Sequence, residues 1–337
     1  MADKEVCLFE VIDGMRVTWE ITHRCNYQCK HCCNDSLDKE YPNELSKQRI
    51  FEILDEMVKS GVSAIYFSGG EPLLREDIFE IMSYAKMAGV KRINLASNGG
   101  LINPKIAEKL ASLKLDSVLM SLDGHLPEVH DKLRGIKGAF EKVINSIRLL
   151  CEKGVNVRVG TVIWKRNYPF LEEILKLAVK NGAKSIYFNW LVKSGRCNDN
   201  KEILLDPRQY KKVAKEIFRL QEKYAGIIKV GYHRYKKINN QFPSCLGGDR
   251  IIHVNTEGCI APCSWIAKQD PSFVTKDRLT SLSFSELMKS DCLNSFKDMV
   301  SKRESCAGKG CPAMCFAENK SFMSTDPLYF DGGIYVR

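Results

Sequence analysis

Several signatures that assign function quickly are missing from this chain. No apolar run approaches the ~18 residues needed to cross a bilayer, and the opening stretch, MADKEVCLFEVIDGM, carries acidic groups and no long apolar segment. The expectation is a protein without a membrane partner, in the cytoplasm. There is no GxxxxGK[ST] phosphate loop, no HExxH pair and no hydrolase-like Ser, His and Asp arrangement to compete for the active site. Low-complexity linkers are also missing, so any second region is expected to pack against the first.

Charge of one sign is less scarce. Lysine and arginine number 51 against 41 acids, a formal net charge of +10 in 337 residues. The lysines are dispersed along helical stretches instead of gathered in one arm, which reads as a solvated face and argues against nucleic acid. A basic face that docks an acidic electron donor such as ferredoxin or flavodoxin is the functional reading of the same charge.

Cysteine is abundant, at fourteen residues. Without an export signal, these are metal ligands and free thiols before they are disulfides. Cys25, Cys29 and Cys32 fall within CNYQCKHC, directly after a β-prone run at 17–21. Three thiolates are one short of a closed tetrahedral site, so the loop needs a distant fourth ligand or keeps a coordination position open.

Downstream, apolar stripes and short apolar runs alternate. Strands are expected near 17–21, 63–67, 93–96, 117–120, 155–162 and 185–190, with helices between them at 46–60, 77–87, 104–113, 140–151 and 170–179. Six parallel βα units predict an α/β fold, a partial (β/α)6 TIM-type barrel with chemistry at the C-terminal strand ends. The unusual residues fall there: Gly69, Gly70 and Glu71 in GGEP, Ser97 and Asn98 in SNGG, Ser121 and Asp123 in SLDG. Paired glycines admit a close ligand and a carboxylate can accept from an ammonium group; the Ser, Asn and Asp residues would otherwise cap helices or make Asx turns. A lysine-rich helix at 207–224 follows, then a loop-rich region holding Cys245, Cys259, Cys263, Cys292, Cys306, Cys311 and Cys315, spacings suited to a metal site built from two loops. Structural zinc is the alternative there. Cys7, Cys151 and Cys292 read as packed thiols, whereas Cys33 and Cys197 are placed to approach the active site.

The CxxxCxxC loop followed by GGEP resembles the radical S-adenosylmethionine (radical SAM) enzymes, and CLGGDRIIHVNTEGCIAPC resembles the SPASM and twitch auxiliary-cluster domains. The resemblance implies a barrel over 1–230, with its cluster loop at 23–37, and a small cysteine-rich auxiliary-cluster domain over 231–337. Cys25, Cys29 and Cys32 would hold a [4Fe–4S] cluster whose fourth iron takes the amino and carboxylate groups of S-adenosylmethionine. Gly69, Gly70 and Glu71 would receive the methionine amino group, and Ser97, Asn98, Ser121 and Asp123 the ribose and carboxylate. Arg134 in HDKLRGIKGAF is a candidate anion contact, or else an exposed helix-surface arginine. One auxiliary [4Fe–4S] cluster, held by Cys245, Cys263 and two of Cys306, Cys311 and Cys315, fits the cysteine count better than the two clusters of a full SPASM domain. Cys259 is left over as a ligand, an inert thiol or a hydrogen-atom donor.

The implied activity is reductive cleavage of S-adenosylmethionine and hydrogen abstraction from substrate by a 5′-deoxyadenosyl radical. A peptide or protein undergoing maturation, cross-linking or epimerisation is the leading substrate expectation, tempered by the short stretch before the first strand, which leaves no room for a fused leader-peptide domain. Small molecules follow closely: a tetrapyrrole side chain, a sugar or an aminocyclitol undergoing dehydrogenation or decarboxylation. A non-catalytic metal-binding protein is the remote alternative.

Overall fold

In the computed structural model, residues 14–198, 200, 202–232, 245–305 and 310–324 are described. The barrel part runs β1 (Met15–Thr22), α1 (Lys47–Lys59), β2 (Val62–Gly69), α2 (Ile78–Ala88), β3 (Arg92–Ser97), α3 (Pro104–Leu113), β4 (Ser117–Ser121), α4 (Pro127–Arg134), α5 (Ala139–Glu152), β5 (Val157–Val162), α6 (Leu171–Lys180), β6 (Ser185–Asn189), α7 (Pro207–Lys223) and β7 (Lys229–Tyr232). The remainder adds β8 (Ile251–Val254), β9 (Ile260–Ala261), α8 (Ser264–Gln269), α9 (Phe284–Leu287), α10 (Asp291–Ser305) and α11 (Pro312–Asn319). None of the helices described is long and apolar enough to cross a membrane.

All six expected strands form, and they pair in parallel in sequence order. The helices between them start and stop where local chemistry directs. Ser46 caps α1 by accepting from the Arg49 N–H, Asn103 caps α3 ahead of Pro104, and Gly89 ends α2 in the left-handed region. The α1 stripe Ile50, Ile53, Leu54 and Met57 is fully buried. It joins the outward-facing strand residues Val17, Trp19, Phe67, Ile93 and Leu95 in one continuous core.

The sheet is larger than six strands. Its order is β7-β6-β5-β4-β3-β2-β1-β8-β9, with β9 alone antiparallel. The boundary expected at 230 falls inside β7, and β8 pairs in parallel with β1, so the cysteine-rich region extends the barrel sheet as well as packing on it. From β9 the chain turns into α8, where Gln269 Nε2 donates to the Lys193 carbonyl just past β6. Lys193 in turn pairs with Glu318 of α11 at 2.5 Å. Side chains of α8 and α11 thereby bridge toward the far half of the open sheet.

Strand alternation leaves the opposite set facing the lumen. On β1 this is Arg16, Thr18, Glu20 and Thr22. Arg92, Arg158 and Lys229 occupy equivalent lumen positions low on β3, β5 and β7. Arg16 lies over the Tyr66 ring at 5.9 Å and Arg158 over Tyr187 at 4.3 Å, so two of these cations are stacked on lumen tyrosines.

Candidate active site

The loop after β1 holds Cys25, Cys29 and Cys32 together with Tyr27 in a small buried cluster against Ala139 and Ile136. Backbone bonds fix it: Cys25 N–H to the Leu37 carbonyl at 3.0 Å, and Lys30 N–H to the Leu133 carbonyl at 2.8 Å. Arg196, just past β6, threads the loop from the far side. Its Nε donates to the Cys29 carbonyl at 2.8 Å, its Nη1 to Asp35 at 2.9 Å, and its backbone N–H to the Cys32 carbonyl at 3.0 Å.

Glycines from three further segments let the protein close around this loop. A Cβ at Gly70 would stand 2.1 Å from the Arg24 carbonyl oxygen, one at Gly135 2.3 Å from that of Gln28, and one at Gly195 2.4 Å from that of Cys32. No side chain fits at those distances.

Burial pushes the Cys25 thiol up to about 12 and raises that of Cys29 as well. Against this, Arg134 Nη1 lies 3.8 Å from Cys29 Sγ and Asn98 Nδ2 lies 4.0 Å from Cys25 Sγ, donors suited to a sulfur carrying negative charge. Tyr27 Oη and His31 Nδ1 are buried without hydrogen-bond partners beside the same thiols. Among the described residues no three Cys, His, Asp or Glu side chains converge on a single-ion site. Three thiols, cationic and amide donors and orphaned polar atoms together fit a cluster with an exchangeable fourth iron.

The strand-end residues divide. Glu71 is fully buried; its carboxylate accepts from Leu73 N–H at 3.2 Å, Ser97 Oγ–H at 3.0 Å and Asn98 N–H at 2.7 Å, and burial still raises its pKa to about 7. These bonds pin the end of β2 to the end of β3. Ser97 Oγ also accepts from Gly99 N–H at 3.1 Å. Asp123 plays a similar tying part at the end of β4. It is fully buried, one oxygen taking the Val162 N–H at 2.7 Å and the other Arg134 Nε at 2.6 Å. Arg134 is itself buried, not an exposed helix-surface group. Asn98 is bonded to Asn26 at 2.8 Å beside Cys25, and Ser121 at the end of β4 is half-buried.

Of the C-terminal thiols, Cys263 caps α8, and burial with the neighbouring Cys245 pushes it up to about 12. Cys311 stands at the equivalent cap of α11, a helix packed on α8. Cys315 is fully buried and accepts from Arg303 Nη2 at 3.0 Å. Cys306 lies outside the described residues, as does Cys7. Cys259 is turned instead toward Asn255 and Arg278. Cys197 is buried, its Sγ 3.1 Å from two backbone carbonyls. Cys33 is solvent-accessible, yet burial pushes its thiol up to about 12, with Cys32, Glu20 and Lys268 around it.

Sequence reasoning missed Arg196, Asn26, Gly135 and Gly195. The only local hint was the Gly-Arg pair immediately before Cys197.

A family model described as the radical SAM superfamily matches residues 19–188. The AdoMet-dependent heme synthase of Methanosarcina barkeri is 32% identical over 273 residues, 74% of this chain and 76% of that protein. The Fe-coproporphyrin III synthase of the same organism is 37% identical over 53% of this chain and 45% of its own length. The mycofactocin maturase MftC of Mycolicibacterium smegmatis is 36% identical over 54% of this chain and 46% of its own length. Among solved structures, Streptococcus suis SuiB bound to S-adenosylmethionine superposes with a TM-score of 0.75 at 16% identity, covering 93% of this chain and 76% of that one, a likeness of fold.

Proposed function

Because the chain belongs to the radical SAM superfamily, and is thus an enzyme working with a [4Fe–4S] cluster and S-adenosylmethionine, we propose that it modifies the side chains of a tetrapyrrole on the way to heme. Cys25, Cys29 and Cys32 would hold the cluster; Gly69, Gly70, Asn98 and Ser121 would contact S-adenosylmethionine; Glu71, Ser97, Asp123 and Arg134 would position that shell. When bound, the cluster supplies the electron that cleaves S-adenosylmethionine to the hydrogen-abstracting 5′-deoxyadenosyl radical. The chain's own part is to orient the substrate, exclude water and place its side chain against the radical. Cys245 and Cys263, with two of Cys306, Cys311 and Cys315, would hold one auxiliary cluster in residues 231–337. A flavodoxin or ferredoxin would deliver electrons at a shallow cleft of about 560 Å³ beside the loop, where Lys30, Lys132 and Lys137 outnumber Glu128 and Asp131 and leave a net positive charge for an acidic donor.

The observation that carries the tetrapyrrole reading is the match to a heme synthase over about three quarters of both chains. The peptide reading, which led on sequence grounds, draws support from the maturase match, but that match spans about half of each chain.

Anaerobic reconstitution, followed by incubation with iron coproporphyrin III, S-adenosylmethionine and dithionite, tests the proposal. The expected result is 5′-deoxyadenosine together with a tetrapyrrole product that has lost carboxyl mass. Formation of 5′-deoxyadenosine with an unchanged tetrapyrrole would remove the substrate assignment. Iron near eight per chain supports one auxiliary cluster, and Cys263→Ala and Cys25→Ala are each expected to remove about half of it, with Cys259→Ala removing none.

A further inference from the structure

Midway along the lumen face of β1 lies a cluster that the loop chemistry does not use. Glu20 is 3% exposed and His253, paired beside Thr18 in the β1–β8 register, is 1% exposed. His253 Nε2 stands 3.5 Å from Glu20 Oε1, and Lys268 Nζ, from α8, stands 3.4 Å from Glu20 Oε2. Both separations are slack for charge-assisted contacts, which close to 2.7–2.9 Å when they serve only each other. Neither ring nitrogen of His253 makes a hydrogen bond of ordinary geometry. Its neighbours are loose ones, the Thr18 backbone and Glu20, and a buried imidazole held so loosely calls for a better partner.

The location supplies a reason. Glu20 lies two residues before Thr22, whose carbonyl accepts the Gly70 N–H at 2.8 Å, at the edge of the candidate S-adenosylmethionine site. At the other end, Lys268 belongs to α8, the helix that Cys263 caps. The cluster therefore joins the strand that leads into the cysteine loop to the helix that begins at Cys263, where a substrate must lie if both cysteine groups are to serve it. Its three side chains come from β1, β8 and α8, so it exists only because the C-terminal region has joined the barrel sheet.

The chemistry of the donors selects the ligand. Lys268 offers ammonium protons and His253 a ring N–H, while Glu20 is the sole acid and already faces both. A cationic ligand group would meet Lys268, and an apolar one would leave His253 unsatisfied. A carboxylate satisfies both donors through its two oxygens, and Arg16 adds positive charge to the same side of the lumen.

We propose that Lys268 and His253, held in place by Glu20, form the anchoring subsite for one carboxylate of the substrate. The proposal rests on the tetrapyrrole reading, which supplies a substrate with carboxylate side chains. Anchoring one of them here leaves the rest of the macrocycle free to present another side chain to the loop.

The test is an anaerobic absorption titration of the reconstituted enzyme, without reductant, using iron coproporphyrin III and its tetramethyl ester as probes. Lys268→Met is expected to raise the Kd of the acid about tenfold or more, to leave the Kd of the ester unchanged, and to be rescued by Lys268→Arg. His253→Phe is expected to behave like Lys268→Met. An unchanged Kd for the acid in both variants, or equal weakening of acid and ester, overturns the subsite and leaves the tetrapyrrole reading standing. Failure of the wild-type enzyme to bind either probe overturns that reading and the subsite with it.

Discussion

Arg134 joins two residues that the sequence keeps far apart: its Nε donates to Asp123 at 2.6 Å while its Nη1 reaches to 3.8 Å from Cys29 Sγ. One guanidinium thus ties the end of β4 to the cysteine loop. It also brings a permanent positive charge to a thiol that burial alone would keep protonated.

Breaking that pair strands a fully buried carboxylate. Arg134→Met is expected to cost about 3–5 kcal/mol of stability and to lower retained iron, and Asp123→Asn in the same chain should recover part of the stability. Urea denaturation of the single and double variants measures the first effect, and iron analysis the second.

The glycines around the loop separate backbone strain from steric exclusion. Gly135, Gly138 and Gly195 all adopt positive φ, at +71°, +82° and +55°. Nothing lies within 4 Å of a Cβ at Gly138, whereas Gly135 and Gly195 abut loop carbonyls. Alanine at Gly138 should cost only about 1–2 kcal/mol of left-handed strain and leave iron content intact. Gly135→Ala and Gly195→Ala should also displace the loop and lose iron, read by iron quantitation beside melting temperature.

Acid stability should depend on Glu172, the clasp between α6 and α7. Hydrogen bonds from Lys223 and Arg219, with Tyr224, hold its carboxyl well below the usual range. A depressed folded pKa contributes stability above the unfolded value of about 4.3, and that contribution is lost as pH falls through the folded pKa. Glu172→Gln is therefore expected to lower Tm by about 1–3 °C at pH 7. The gap should narrow below pH ~4 and in high salt, as thermal unfolding across pH would show.

The parts legible in the sequence were those governed by local pattern. Apolar strands such as Ile93–Ala96 and capped helices such as α3 announce themselves within a dozen residues, and the thiol spacing of CNYQCKHC carries its own chemistry. Four-residue β8 has no such signal. Its identity as a strand comes from pairing with β1, a contact between opposite ends of the chain. Helix α4 was hidden because it is two turns long and Leu126, its capping residue, supplies no side-chain bond. At the site, the bonds that Glu71 and Asp123 make within the protein were not legible, for one reason. Residue type identifies a carboxylate, but its availability depends on neighbours such as Ser97, Asn98, Val162 and Arg134, which arrive only with the tertiary fold.

The β1–β8 pairing also sets an order of assembly. Arg16 meets Ile251 and Trp19 meets Val254, so the first strand of the barrel gains its second neighbour only when most of the polypeptide has left the ribosome. Closing so long a loop is entropically costly and slow. Until it closes, one edge of β1 stays bare beside Cys25, Cys29 and Cys32. Lys268 and the rest of α8, which follow β8 in the chain, join the barrel only with that closure.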